Sequence, residues 1–195
     1  HTPHEVSVYG MDLTGGGLAR LEGFPHVGGV ATRGDHDRLH RLVEELTGML
    51  ARRERLFREH AIESMTHLRR LHGQGGLREL PSADVVVLVD GFGLLRTEFE
   101  ELADQVNDLI VRGGSYGIHV VIALGRWNEL RVNQQSRFGT RLEFRLNDPI
   151  DSVIDRRLSQ TIGTEQHGRM LTDDRRFAQL CLPVLDDTAD ENLGD

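Results

Sequence analysis

The run Val85-Val86-Val87-Leu88-Val89-Asp90-Gly91 constrains the fold more than any other part of the chain. Five consecutive apolar residues, four of them β-branched, lead straight into one aspartate. An unbroken run of this kind predicts a strand buried on both faces, as in the middle of a parallel sheet. The acid at its C-terminal end then stands at the sheet edge where open α/β folds bind their ligands. Asp-Gly is also a common turn pair, so the run alone fits a plain core strand ending in a turn as well.

The segments around it alternate in type. Val6, Val8 and Tyr9 lead to Asp12-Leu13-Thr14-Gly15-Gly16-Gly17, a short strand with a glycine-rich βα connection. Phe24 to Val30 is a second short extended segment. Asp35 and Asp37 offer caps for a long helix to about His60, with Leu39, Leu42, Val43, Leu46, Met49, Leu50, Leu56 and Phe57 on its apolar face. Its charged residues, Arg53 and Glu54 among them, are assigned to the solvated side. Ser64 caps a shorter helix ending at Gly73. After Asp90, Glu98 to Val111 is amphipathic, Gly113-Gly114 stops it, and Ile118 to Ala123 is another apolar strand. Strand, helix, strand in this order is a parallel crossover. Thr140 to Leu146 alternates, with Leu142, Phe144 and Leu146 on one face. Asp148-Pro149 opens a helix to about Leu158, and Phe177 to Leu182 is a last strand closed by Pro183. The expected architecture is one α/β domain with a largely parallel sheet of about five strands, flanked by helices.

Composition narrows the chemistry. At 195 residues with 38% hydrophobic and 28% charged content, the chain can bury a substantial core. Its formal net charge of −8 argues against binding nucleic acid through its surface. The lone cysteine, Cys181, excludes an internal disulfide, and its apolar neighbours Leu180 and Leu182 predict a buried strand position. His36 and His40 have a spacing at which two imidazoles can share a metal on a helix, but no third ligand stands at a matching offset. They read as surface histidines, as do His60, His67 and His72. Asp186, Asp187, Asp190, Glu191 and Asp195 make an acidic tail or linker.

All 23 basic residues are arginine. A phosphate-binding G-x-x-x-x-G-K-[ST] loop uses its lysine to reach the β/γ-phosphates, so no such loop lies within these residues. Three elements are expected at the C-terminal sheet edge: Asp12 with its glycines, Asp90, and Leu124-Gly125-Arg126-Trp127. In P-loop NTPases the place of Asp90 belongs to an aspartate that helps to hold Mg²⁺. Arg126 is equally suited to a phosphate and to a neighbouring carboxylate. Gly91 stands where working ATPases of this architecture carry a water-activating acid. Glu98 and Glu100 are the nearest carboxylates that follow. No G-x-S-x-G occurs.

The order of these segments resembles the FtsK/SpoIIIE family downstream of its phosphate-binding loop. The resemblance is carried by Val6–Asp12, Gly15-Gly16-Gly17-Leu18, Leu21-Glu22-Gly23-Phe24-Pro25-His26-Val27 and the arginine-rich helix. It continues through Val85–Asp90, Tyr116–Val121, Gly125-Arg126-Trp127 and residues 139–146. Asp148-Pro149, Asp151-Ser152, Asp155-Arg156-Arg157 and Gly168-Arg169-Met170-Leu171 complete it. Within the family the chain is most similar to the second of the three tandem modules in the EccC-type ATPases of actinobacterial type VII secretion. The likeness covers roughly residues 5–186, followed by the acidic residues 187–195.

The resemblance implies a RecA-like P-loop NTPase fold and a motor at the cytoplasmic face of the cell membrane. Small helical-hairpin proteins are the implied cargo. Adjacent ATPase modules, secretion-system membrane components and further copies of the motor are the implied partners. Asp90 matches the Mg²⁺-holding aspartate, and Arg126 matches an arginine near the nucleotide or a module interface. Asp12 is a further candidate for nucleotide or Mg²⁺. ATP and Mg²⁺ are the implied cofactors, with the phosphate-binding loop supplied from outside these residues, so the module is expected to be N-terminally incomplete. Asp90 kept beside Gly91 predicts ATP binding with weak or no hydrolysis and a structural or allosteric role. The alternatives are a nucleotide-free protein-interaction module and an α/β enzyme unrelated to NTPases.

Overall fold

A computed structural model describes residues 1–15 and 17–181. The predicted central run is a strand, and its neighbours form around it. β1 (Val6–Asp12), β2 (Val27–Thr32), β3 (Asp84–Asp90) and β4 (Ile118–Ala123) make one sheet in the order β2-β1-β3-β4, with every pairing parallel. The helices between them are α1 (His36–Glu59), α2 (Met65–Gly73), α3 (Phe92–Glu98) and α4 (Glu100–Arg112). Register sets Val85, Val87 and Val89 beside Tyr9 and Met11, and these side chains are buried. The intervening positions Val86 and Leu88 are only half-buried, and on β4 Val121 is 54% exposed. The strand expected to be buried on both faces is therefore fully covered on one. α1 reaches the covered face, as the Tyr9 hydroxyl donates to Glu45 Oε1 at 3.1 Å.

α1 owes its start to Asp35, whose carboxylate accepts from the Arg38 amide at 2.9 Å. Leu39, Leu42, Val43, Leu46, Leu50 and Leu56 form its buried stripe. Each leucine fully removed from water there contributes about 2 kcal/mol. Arg53 lies on the same stripe and is only 2% exposed, which corrects its assignment to the solvated face. Its NH1 donates to the carbonyls of Ala83 at 2.7 Å and Tyr116 at 2.9 Å, and its NH2 to that of Ser82 at 2.8 Å. Burial pulls the Arg53 guanidinium down to about 10, against the opposing pull of Asp84 and Tyr9. The α2 region closes the sheet's starting end with Leu56, Ile62, Leu68, Leu77, Leu80 and Ala83.

Two further expectations change in detail. The amphipathic stretch predicted from Glu98 to Val111 is α4, and a separate short helix not expected from the sequence, α3, precedes it, the two divided at Phe99 with φ -136° and ψ 60°. After Gly125 the chain forms a second compact unit beginning at Arg126. It holds α5 (Val132–Gln135), β5 (Leu142–Phe144), α6 (Arg156–Ser159), β6 (Arg169–Thr172) and β7 (Phe177–Gln179). Its strands pair antiparallel in the order β5-β6-β7, so the last two predicted strands do not extend the parallel sheet, which has four strands among the described residues.

The helix predicted from Asp148 is broken in two. Asp148 caps one turn of 3-10 helix, Pro149–Asp151, and Asp155 caps α6 separately. Leu142 and Phe144 do share a face of β5, but that face is exposed and Glu143 is buried opposite Leu171. Cys181 is exposed and lies beyond β7, which corrects the buried-strand expectation. Leu182, Pro183 and the acidic tail lie outside the described residues.

Candidate nucleotide edge of the parallel sheet

β1 and β3 run side by side to the same edge, where Asp12 is registered against Asp90 and Ala123 of β4 stands on the other side of Asp90. The two expected acids are thus brought together by strand pairing alone, yet they do different work. Asp12 is 2% exposed. Its Oδ1 accepts from the Gly15 amide at 3.1 Å and its Oδ2 from the Leu18 amide at 2.9 Å. These bonds satisfy a buried carboxylate and fix the turn that leaves β1.

Asp90 is half-buried and belongs to the edge itself. The Thr14 hydroxyl donates to its Oδ2, and the Leu13 amide donates to its main-chain carbonyl at 3.1 Å. Gly91 follows in the left-handed region, at φ +83°, and an added Cβ there would lie 2.6 Å from the Thr14 methyl. Its carbonyl accepts from Leu94 at 2.9 Å as α3 begins. A side chain at position 91 therefore meets both an unfavourable backbone and an occupied space.

A shallow cleft of ≈ 320 Å³ opens beside this edge, lined by Asp12, Leu13, Thr14, Gly15, Thr32, Arg33 and Gly34. Arg33 is held across it by a two-pronged ion pair with Glu98, Nε to Oε2 at 2.8 Å and NH2 to Oε1 at 2.6 Å. That pairing commits Glu98, one of the two nearest carboxylates that follow Gly91. Arg126 begins the second unit and forms an ion pair with Asp151 at 3.2 Å, while its amide donates to Glu129 Oε1 at 2.9 Å.

The sequence profile of the FtsK/SpoIIIE family matches residues 1–173. The chain belongs to that family. It is 42% identical over 194 residues to the ESX secretion system protein EccC of Thermomonospora curvata, covering 99% of this chain and 15% of that protein. It is 37% identical over 188 residues to the ESX-1 secretion system protein EccCb1 of Mycolicibacterium smegmatis, covering 95% of this chain and 32% of the relative. Among solved structures it superposes with a TM-score of 0.91 on Thermomonospora curvata EccC (ATPases 2 and 3) in complex with a signal sequence peptide. That match covers 100% of this chain and 35% of the other, at 42% identity. The fold of this family member is accordingly that of the P-loop ATPase domains, with helices flanking a parallel sheet.

Within that fold the donor set at the edge can be tested against Mg²⁺. Among the described residues no three His, Cys, Asp or Glu side chains cluster to cage a metal. Mg²⁺ does not need a cage: it keeps much of its water and takes one or two carboxylates together with substrate phosphates. One carboxylate with one oxygen hydrogen-bonded, at the end of a parallel strand, fits that demand. Asp90 would hold the ion, and the ion would supply charge neutralisation to the phosphates.

Two residues were missed from sequence. Thr14 carried no motif signal, because its partner is set by the β1-β3 register. Arg53 did carry one, as it falls three positions after Leu50 and three before Leu56 on the apolar stripe.

Proposed function

We propose that this chain is an ATP-binding module of a type VII protein secretion motor, corresponding to the second of its ATPase modules. It holds nucleotide through Mg²⁺ at Asp90 and hydrolyses it weakly or not at all, serving a structural or allosteric role in export. The observation that carries this reading is Asp90 kept at the sheet edge beside Gly91, which has no side chain to activate water and has a positive φ with the Thr14 methyl close to where a Cβ would stand. The lysine that reaches the β/γ-phosphates comes from polypeptide outside these 195 residues, which contain none. Asp12 serves the Asp90 site by shaping the loop, and Arg126, in the second unit, is a separate proposed nucleotide contact that exchanges Asp151 for phosphate or for an adjoining module. Adjacent ATPase modules, other motor copies, secretion-system membrane components and small helical-hairpin substrates are the partners, at the cytoplasmic face of the cell membrane. The signal-sequence peptide bound to the Thermomonospora EccC structure supports the substrate part of this reading. Among the described residues no helix is long and apolar enough to cross a membrane.

The test is titration with labelled ATP, with and without Mg²⁺, of the protein that joins this chain to its phosphate-binding lysine. Saturable, Mg²⁺-dependent binding that Asp90→Ala weakens by about tenfold or more is expected. Turnover at the rates of working ATPases, about 1 s⁻¹ or faster, and abolished by Asp90→Ala, would sink the claim of weak hydrolysis. The second reading, a nucleotide-free interaction module, draws on the exposed Leu142, Phe144, Ile150 and Val153 of the second unit. Absence of Mg²⁺-dependent ATP binding favours it.

A further inference from the structure

Three hydrogen bonds hold the described residues that follow β1. Asp12 accepts from Gly15 and Leu18, and the Leu13 amide bonds the carbonyl of Asp90. These three bonds fix the residue between them, Thr14, directly over the end of β3. Its methyl fills the space beside Gly91, and its hydroxyl donates to Oδ2 of Asp90.

A carboxylate that ligates a metal must present one oxygen in a fixed direction, and a partner on its other oxygen supplies that direction. Without a partner the carboxylate rotates about its last bond and bonds water, so the ligating geometry is populated only part of the time. We propose that Thr14 is the positioning residue for the Mg²⁺-nucleotide complex: its hydroxyl holds Asp90 Oδ2 so that Oδ1 faces the ion. This inference rests on the reading of Asp90 as the Mg²⁺ ligand and extends it to a residue that acts through that ligand.

A role through the metal differs measurably from a role in folding. Thr14→Val keeps the shape of the side chain and the packing over Gly91 while deleting the hydroxyl. The Mg²⁺ concentration that half-saturates nucleotide binding is expected to rise about tenfold in Thr14→Val and to return to the parent value in Thr14→Ser. Affinity for ATP measured in excess chelator is expected to stay the same in all three proteins. A thermal melt of each variant reports whether the fold is intact.

An unchanged Mg²⁺ midpoint in a folded Thr14→Val, with the midpoint still lost in Asp90→Ala, overturns the role of Thr14 and leaves the Asp90 site standing. Equal weakening with and without Mg²⁺, or failure of serine to rescue, makes Thr14 a packing residue only and overturns the proposal too. Indifference of Asp90→Ala to Mg²⁺ removes the site itself and the inference with it.

Discussion

At position 91 two constraints coincide that a sequence cannot display together. Glycine there has φ +83°, and the Thr14 methyl stands 2.6 Å from where a Cβ would be. Gly91→Ala is expected to lower unfolding free energy by about 2 kcal/mol, part from the backbone and part from the collision. The parts separate in a double-mutant cycle with Thr14→Ser, which removes the methyl and keeps the hydroxyl. Urea unfolding should then give a coupling of about 1 kcal/mol, Gly91→Ala being milder beside serine. Zero coupling would show that the methyl does not guard the site. The sequence disclosed Asp90 and the missing acid after it, because an apolar run ending in a carboxylate is local information. It could not disclose what stands beside position 91, since Thr14 and Gly91 lie far apart in sequence and come together only through the pairing of β1 with β3.

Elements were legible where one local rule sufficed. α1 begins at the residue after its predicted cap, and β3 and β4 fall on their apolar runs, because capping and continuous hydrophobicity act within a few residues. Legibility failed where a choice of face or partner decided the outcome. The alternation in β5 reports which side chains share a face, but only the folded unit decides that Glu143 turns inward, where its Oε2 accepts from the Val153 amide at 3.2 Å.

β3 begins with another such long-range choice. Arg69 of α2 clasps Asp84, Nε to Oδ2 at 2.7 Å and NH2 to Oδ1 at 2.9 Å, and His119 Nε2 lies 3.0 Å from Oδ1. Burial raises the Asp84 carboxyl, but the hydrogen bonds and charges of Arg69 and His119 outweigh it and hold the group below its ordinary value. A depressed folded-state value means that the native protein binds fewer protons than the unfolded chain in the acidic range. The stability from Asp84 is therefore complete above the ordinary carboxylate value near about 4 and is lost as pH falls through the lower native value. Asp84→Asn should cost about 1 kcal/mol at pH 7, with the gap closing in urea midpoints as pH falls below the ordinary carboxylate range. A gap that persists at low pH would assign the effect to packing.

The whole molecule shows how far a family pattern reaches. The order of motifs from Val6 to Leu171 was enough to place the chain among FtsK/SpoIIIE proteins. It did not reveal that the segments after Gly125 build their own antiparallel sheet, because β5 and β6 are short and owe their pairing to each other. Within the first unit, Arg53 has a consequence for how the structure comes apart. Its three carbonyl acceptors belong to the residues that lead into β3 and β4, while its own backbone belongs to α1. No partly assembled form that keeps one of these elements and releases another can leave a buried guanidinium so well matched. Opening is thus expected to be cooperative, with the slowest-exchanging amides of α1, β3 and β4 sharing one opening free energy in native-state hydrogen exchange. Arg53→Met, which fills similar volume without the charge, should split them into two classes, the helix opening ahead of the strands. A single buried cation would then determine whether this half of the protein unfolds as one body or as two.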